Sequence, residues 1–197
     1  MIKTRQDLKS TLKADLISNG FDKKSKFIEF VKGNLIDIQM LNYTILLRKL
    51  EYYTYKKNNG NPIFKILFLF YKHRLMRKSL KLNMLIYPYS LGPGLNIIHS
   101  GYRWIDSVSC IGSNCTILPR VLLGKKHSGI PSPCIFIGNN CYIGTGATIL
   151  GPIKIGNNVT IGAGAVVVKD VPDDCVVVGN PARVIKRTNF SADQNKE

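Results

Sequence analysis

The fold of this chain is decided by residues 137–168, which read IGNNCY-IGTGAT-ILGPIK-IGNNVT-IGAGAV-VV when they are divided into sixes. Each six begins with isoleucine or valine, and in most of them glycine follows. The same spacing of aliphatic residues reaches back to Ile111, Ile117 and Leu123. A period of six fits neither an α-helix nor the alternation of an ordinary strand, but it is typical of a β-helix built from short stacked strands.

A second apolar position accompanies the first in each six. The fifth place holds Cys115, Val121, Cys141, Ala147, Ile153, Val159, Ala165 and Val171. The pattern predicts that both positions point inward and that each coil depends on its neighbours for stability. We expect the β-helix to run from about Leu85 to Val178. It is interrupted by two extra residues between Ile97 and Ile105 and by a loop at residues 124–136.

Three segments of the chain carry a resemblance to a known family. Residues 92–99 read GPGLNIIH and residues 179–185 read GNPARVI. Residues 143–147 read IGTGA, and residues 161–165 repeat this pattern as IGAGA. Through them residues 85–187 resemble the hexapeptide acyltransferases, and the first segment resembles serine acetyltransferases and their relatives among sugar O-acetyltransferases. The resemblance implies an α+β fold, in which an N-terminal α-helical cap precedes a left-handed parallel β-helix. It also implies a homotrimer with the active site between neighbouring copies.

The N-terminal residues read as helices rather than strands. Thr4 with Asp7 three residues later is a capping pair, and leucines then recur at helical spacing until Asn19-Gly20. Three further helices are expected, at about residues 24–31, 35–56 and 62–81. The predicted organisation is an α-helical region (1–83), a left-handed β-helix acetyltransferase domain (84–187) and a flexible tail (188–197).

Positive charge is concentrated in the helical region. The chain has a net charge of +16, and residues 1–83 hold 18 lysine and arginine residues against 6 aspartate and glutamate residues. We interpret this surface mainly as solvated charge, with weak contact of the basic helices with an anionic membrane surface as the alternative. Because no nucleic-acid-binding motif accompanies the charge, no nucleic-acid partner is expected.

The sequence predicts where the protein is located in the cell and whether its cysteines form disulfides. The first residues include Lys3, Arg5 and Asp7 and do not read as a secretory signal. The most apolar run, residues 63–71, is far short of the ~20 residues of a membrane helix. We therefore expect a cytoplasmic protein. An odd number of cysteines does not suggest a disulfide framework, and only Cys134, in the loop, is retained as a chemical candidate.

Acyl transfer to an alcohol requires a base near neutral pH, and histidine suits this task. His99 ends the segment 92–99, where the resemblance places the catalytic histidine; the alternative is a histidine that only satisfies backbone groups at a corner. His127 is the rival, because its loop resembles the histidine-bearing loop of galactoside-type acetyltransferases. His73 lies among cations on a predicted helix and is interpreted as a surface residue. Asp106 is a candidate to orient His99, with a turn role as the alternative.

The resemblance also implies acetyl-CoA as co-substrate, bound in the groove between two neighbouring rods. The implied contacts are Thr145, Ala163, Lys169, Arg183 and Lys186. Small residues at the turns would let the pantetheine lie close to the backbone, and the cations suit phosphate groups. No metal ion is expected, because a zinc site of the carbonic-anhydrase β-helix type needs three converging histidines and His73 lies outside the repeats.

The sequence also bears on which molecule accepts the acetyl group. Serine acetyltransferases carry Asp-Ile-His-Pro before the first coil and Arg-His-Pro in the loop, whereas residues 85–88 read LIYP and residues 131–134 read PSPC. A sugar hydroxyl needs no ion pairing and can be held by aromatic faces such as Tyr87, Tyr102 and Trp104. The sequence therefore predicts an O-acetyltransferase acting on a sugar in surface-polysaccharide synthesis. The alternative is a serine O-acetyltransferase of cysteine biosynthesis.

Overall fold

The computed structural model describes residues 2–21, 35–58 and 61–187. Three helices come first in these ranges: α1 (Arg5–Ser18), α2 (Leu35–Lys56) and α3 (Pro62–Leu82). None of them combines the length and the apolar composition that a bilayer-spanning helix needs. The helix expected at residues 24–31 and the tail at 188–197 lie outside the described residues.

The helix ends follow the local signals in the sequence. The Asp7 N–H donates to Thr4 Oγ1 at 3.0 Å and the Thr4 N–H donates to the Asp7 carboxylate at 2.9 Å, so the predicted capping box is confirmed. Pro62 occupies the first turn of α3, as expected. That helix ends at Leu82 and is capped by Asn83, whose left-handed conformation (φ 51°) turns the chain into the first strand.

Short strands make up the rest of the described chain. They are β1 (Met84–Ile86), β2 (Asn96–Ile97), β3 (Arg103–Ile105), β4 (Ser109–Ile111), β5 (Thr116–Ile117), β6 (Leu122–Lys125), β7 (Ile135–Ile137), β8 (Tyr142–Ile143), β9 (Thr148–Gly151), β10 (Ile153–Ile155), β11 (Thr160–Ile161), β12 (Val166–Val167), β13 (Cys175–Val178) and β14 (Arg183–Arg187).

The strands form three sheets that make the faces of a prism. Sheet 1 has the order β1-β3-β6-β9-β12, sheet 2 the order β4-β7-β10, and sheet 3 the order β2-β5-β8-β11-β13-β14. All neighbours are parallel except β14, which runs antiparallel to β13. Because the chain passes from sheet to sheet, it winds into coils. The fold is the expected α-helical cap followed by a left-handed parallel β-helix.

Burial confirms the hexad pattern. The first residue of every six is at most 5% exposed and the fifth residue at most 6% exposed, so both positions line one apolar column. The first irregularity also lies where it was predicted: Ile143 pairs with Ile161, eighteen residues on, whereas Ile97 pairs with Ile117, twenty residues on. The second irregularity is the loop between β6 and β7.

The edge between sheets 2 and 3 is held by a ladder of side-chain amides. Asn140 and Asn158 take up left-handed conformations there, which asparagine tolerates. Asn140 Nδ2 donates to Asn158 Oδ1 at 3.0 Å, and Asn158 Nδ2 donates to Asp174 Oδ1 at 2.8 Å. The polar groups of this edge are therefore used to fix one coil on the next.

A buried arginine, Arg48 of α2, helps to join the helical cap to the first coil. Its Nε donates to Asp15 Oδ2 of α1 at 2.8 Å, and its Nη1 donates to Glu51 Oε2 at 3.1 Å. The same guanidinium donates to the carbonyl oxygens of Leu91 at 2.8 Å and Gly92 at 2.5 Å. The network therefore fixes α1 and α2 to the start of the segment that leads to His99.

The outer side of α3 departs from the sequence expectation. We predicted that the apolar side of this helix packs on the rod or on other helices, and Tyr71, Leu75 and Leu82 do face inward. Large apolar residues also lie on the opposite side, where they are 49–78% exposed. They are Ile63, Ile66, Leu69, Phe70, Met76 and Leu80. The expectation that packing covers the apolar residues of α3 was therefore only half correct.

Candidate functional site

His99 lies in the turn from β2 to β3, inside the predicted two-residue insertion. Its side chain is exposed and its backbone is left-handed, with φ 59°. Within the described ranges, no hydrogen bond restrains the imidazole, so both ring nitrogens can meet a ligand from solvent. The insertion therefore makes a potential base project from an otherwise regular edge into solvent.

A buried arginine holds the turn that carries His99. Arg103 is 0% exposed and points into the prism from β3. Its Nη2 donates to the His99 carbonyl oxygen at 2.9 Å, to the Ile117 carbonyl oxygen at 3.3 Å and, in a shorter contact, to the Ile98 carbonyl oxygen. Nη1 donates to the Gly101 carbonyl oxygen at 3.2 Å. Three carbonyl groups of the irregular coil and one of the next coil thus share one guanidinium.

Sequence analysis missed Arg103, although a signal was present. Arg103 stands two residues before the inward-facing Ile105, and alternation along a strand puts both on the same face. Burial lowers the pKa of the Arg103 guanidinium to about 10, so the group remains charged at neutral pH. The charge is stabilised by hydrogen bonds to backbone carbonyl groups, in place of an acidic side chain.

The turns between sheets 3 and 1 stack on one another and form an edge that we call the His99 edge. It comprises residues 98–102, 118–121, 144–147 and 162–165. The Gly146 N–H donates to the Pro119 carbonyl oxygen at 2.9 Å, and the Gly164 N–H donates to the Thr145 carbonyl oxygen at 2.8 Å. Neighbouring strands lie ~4.8 Å apart, so three coils place Ala163 about 14 Å from His99 along this edge.

Gly144 allows two of these turns to approach closely. A Cβ atom at this position would lie 2.7 Å from the Ala163 nitrogen and 2.7 Å from the Ile161 carbonyl oxygen. Any side chain would therefore force the coils apart. The result is that the turns at residues 144–147 and 162–165 carry little side-chain bulk, and a long ligand can contact the backbone there.

The second candidate histidine lies on a different edge, which we call the loop edge because it carries residues 126–134. His127 is exposed there, and its Nδ1 lies 3.0 Å from the Ser128 carbonyl oxygen. Lys126 Nζ donates to the Val168 carbonyl oxygen at 2.8 Å and ties the loop to a distant coil. A cavity of about 560 Å³ lies beside the loop. Its lining includes His127, Cys134, Phe136, Lys154 and Asp170.

Asp106 does not meet His99. It lies beyond the far end of β3, where its Oδ1 accepts a hydrogen bond from the Ser107 N–H at 2.6 Å and its carbonyl oxygen accepts one from Ser109 Oγ at 2.9 Å. These contacts support the turn role that was the alternative. In the described part of the chain, no group of three or more histidine, cysteine, aspartate or glutamate residues is placed to hold a metal ion.

The predicted coenzyme contacts are divided between regions of the prism. Thr145 and Ala163 lie on the His99 edge, and Arg183 opens β14 beside Val178 at the same edge. Lys169 lies in a turn of the loop edge, and Lys186 pairs with Val176 within sheet 3. All but the half-buried Thr145 are exposed. One chain therefore brings His99, Thr145, Ala163 and Arg183 together and leaves His127 and Lys169 on another edge.

Comparison with known sequences supports the assignment of the repeats. Residues 135–169 match the bacterial transferase hexapeptide model (six repeats). A serine acetyltransferase of Synechococcus elongatus is 46% identical over 105 residues, which are 52% of this chain and 42% of that protein. The chloroplastic serine acetyltransferase 1 of Arabidopsis thaliana is 50% identical over 97 residues, which are 48% of this chain and 30% of that protein. Each match spans less than half of the relative's own length.

Solved structures extend the similarity to the helical cap. Serine acetyltransferase from Brucella abortus in complex with coenzyme A superposes with a TM-score of 0.73 at 26% identity, covering 93% of this chain and 70% of that one. The Neisseria gonorrhoeae enzyme in complex with serine gives a TM-score of 0.64 at 29% identity, covering 92% of this chain and 70% of that one. The chain thus contains hexapeptide repeats and resembles serine acetyltransferases.

Proposed function

We propose that this protein is an acetyl-CoA-dependent O-acetyltransferase and that its acceptor is L-serine. The observation that carries the proposal is that His99 lies in the first of the stacked turns of the His99 edge. The fold that contains these turns resembles a serine acetyltransferase bound to coenzyme A. The sequence relatives are serine acetyltransferases, and they favour serine over the saccharide that sequence analysis preferred.

Coenzyme A would lie along the His99 edge. The ~14 Å between His99 and Ala163 suits an extended pantetheine arm, and the small residues Gly144, Thr145 and Ala163 leave the later part of its path free of bulky side chains. Arg183 is exposed at the far end of this path, where a cation suits the phosphate groups of the nucleotide. The thioester would then reach the exposed imidazole of His99.

His99 would act as general base and then as general acid. It takes the proton of the acceptor hydroxyl while the oxygen bonds to the thioester carbonyl carbon, which produces a tetrahedral oxyanion. Backbone N–H groups of neighbouring turns stabilise this oxyanion. When the carbon–sulfur bond breaks, His99 returns the proton to the thiolate, and an ester and free coenzyme A leave. No acyl-enzyme is required.

A complete site would need two copies of the chain. The residues implied in binding and chemistry are divided between the His99 edge and the loop edge of one prism. A three-fold ring of rods would place the loop edge of one copy, with His127 and Lys169, beside the His99 edge of the next. Light scattering should then give three times the 22.0 kDa of the chain, and a monomer at micromolar concentration would contradict this assembly.

A saccharide remains the second candidate acceptor because of one specific observation. Tyr87, Tyr102 and Trp104 are 37–50% exposed and line a single groove between α3 and sheet 1. Flat aromatic faces of this kind can hold a sugar ring. In addition, residues 85–88 and 131–134 lack the Asp-Ile-His-Pro and Arg-His-Pro elements of the serine enzymes.

The acceptor is tested by comparing kcat/KM for L-serine with kcat/KM for a panel of saccharides, measured by thiol release from acetyl-CoA. A site that is built for one acceptor rejects the other because buried polar groups are left unpaired. We expect turnover of serine. Efficient acetylation of a saccharide without turnover of serine would replace the first candidate by the second, and absence of thiol release with every acceptor would contradict both.

Replacement of Arg103 by methionine should lower kcat by about tenfold or more while the KM for acetyl-CoA changes less. Methionine fills the apolar interior, but the carbonyl groups of Ile98 and His99 lose their donor, and the turn no longer fixes the imidazole. Arg103→Lys should recover part of the activity, because an ammonium group can donate to the same carbonyls. An equal loss of kcat in both variants, with a parallel loss of thermal stability, would show that Arg103 has only a structural role.

A further inference from the structure

We propose that the outer face of α3 binds the surface of an anionic phospholipid membrane. This face, which we call the α3 face, comprises the exposed apolar residues and the cations beside them. Its apolar members are Ile63, Ile66, Leu69, Phe70, Met76 and Leu80, and its cations are Lys65, Lys72, Arg74, Arg77 and Lys81. The inference stands independently of the proposed catalytic activity.

The first observation is the exposure of large apolar side chains at helical spacing. Ile66, Phe70 and Leu80 fall on one side of α3, and Leu80 is 78% exposed. In the described structure, α3 packs mainly on α2 and β1, through the opposite side. His73 and Arg77 are exposed on the same side, between Phe70 and Leu80, so the exposed apolar residues alternate with polar and charged ones. So many large exposed apolar residues on one helix are characteristic of an interaction site rather than of ordinary surface.

The second observation is the sign of the charge. Residues 62–82 contain six lysine and arginine residues and no aspartate or glutamate. The acidic side chains described elsewhere in the cap do little to offset them. Asp15 and Glu51 are buried around Arg48, and Asp7 caps α1. A partner of this face must therefore supply negative charge.

These two observations together favour a membrane over a second copy of the chain. Two α3 faces packed together would bring their cations into contact with no acid to neutralise them, which disfavours the pairing. Exposed apolar side chains with lysine and arginine among and beside them are instead found in helices that lie in the headgroup region, with apolar side chains inserted and cations at the phosphates.

The groove beside α3 extends the same surface. Met76 and Leu80 form one wall of this cavity of about 760 Å³, and Leu85, Tyr87 and Trp104 form the other. Tryptophan and tyrosine are enriched at the depth of lipid headgroups. Docking through α3 would thus bring sheet 1, near the turn that carries His99, towards the membrane.

The test is co-sedimentation of the full chain with phosphatidylcholine vesicles that contain or lack phosphatidylglycerol. We expect binding to the anionic vesicles only, and weaker binding as ionic strength rises. The double variant Arg74→Gln/Arg77→Gln should bind about 25-fold more weakly, at about fivefold per cation. The double variant Leu69→Ser/Leu80→Ser should bind about tenfold more weakly or worse, because apolar insertion is lost.

The matched control is Lys9→Gln/Lys13→Gln, which removes the same charge from exposed positions of α1. Its binding should stay within about twofold of the unmodified chain, since α1 lies outside the proposed face. The inference is overturned if the chain does not sediment with anionic vesicles, or if the control loses as much binding as Arg74→Gln/Arg77→Gln. It is also overturned if Leu69→Ser/Leu80→Ser leaves vesicle binding intact and instead reduces the size of the assembly, which would identify a contact between copies. Circular dichroism confirms that each variant is folded.

Discussion

Replacement of His99 by alanine is expected to lower kcat by about 10²–10⁴, which is the usual contribution of a positioned general base. In the proposed mechanism this imidazole takes the hydroxyl proton and returns it to the departing thiolate, so its loss affects both halves of the reaction. Binding of coenzyme A should persist, because the proposed contacts of the ligand lie on the stacked turns. Steady-state kinetics and calorimetric titration with coenzyme A measure the two quantities separately.

The matched variant is His127→Ala, which removes the other histidine of the repeat region. His127 is exposed on the loop edge, and the main partner of its ring in this chain is a neighbouring carbonyl oxygen. We expect this variant to keep most of its kcat. An inactive His127→Ala enzyme together with an active His99→Ala enzyme would reverse the assignment and favour the galactoside-type loop.

Replacement of Arg48 by alanine is expected to lower the free energy of unfolding by about 3–5 kcal/mol, the typical cost of breaking a buried ion pair from one side. Burial acts to lower the pKa of Arg48, but Asp15 and Glu51 outweigh it, and the pKa is raised above its ordinary value. Without Arg48, the two carboxylates remain buried with no cation. The carbonyl oxygens of Leu91 and Gly92 also lose a donor.

Urea denaturation of Arg48→Ala beside Arg77→Ala tests this expectation. Arg77 is an exposed arginine of α3, so its replacement should change the free energy of unfolding by no more than about 0.5 kcal/mol. Asp15 also accepts a hydrogen bond from the Leu95 N–H at 2.9 Å, four residues before His99. Similar stability of the two variants would show that the network does not dock the cap.

Much of the fold could be predicted because the hexad pattern reflects burial directly. Ile143 and Ala147, the first and fifth residues of one six, are both 0% exposed, and the same rule holds along the whole rod. Local signals were equally reliable, as the Thr4–Asp7 capping box shows. The two-residue insertion at His99 could be located because it breaks this period.

Features that depend on tertiary contacts could not be predicted in the same way. Arg103 is inside the prism although its residue type suggests solvent, because the irregular coil leaves carbonyl groups that need a donor. The outer side of α3 stays exposed because the helix is apolar on two sides, and composition does not tell which side packs. The preference for a saccharide acceptor rested on two absent motifs and on the aromatic residues Tyr87, Tyr102 and Trp104. An absent motif does not tell which residues replace it.

The central claim is that this chain transfers an acetyl group from acetyl-CoA to a hydroxyl group with His99 as the base. The most direct measurement is mass spectrometry of the products formed from L-serine and acetyl-CoA that carries a carbon-13-labelled acetyl group. The proposed mechanism predicts labelled O-acetylserine, one free thiol for each molecule formed, and a rate lower by about 10²–10⁴ with His99→Ala. Intact acetyl-CoA with serine and with every saccharide tested, or equal product from the His99→Ala variant, would contradict it.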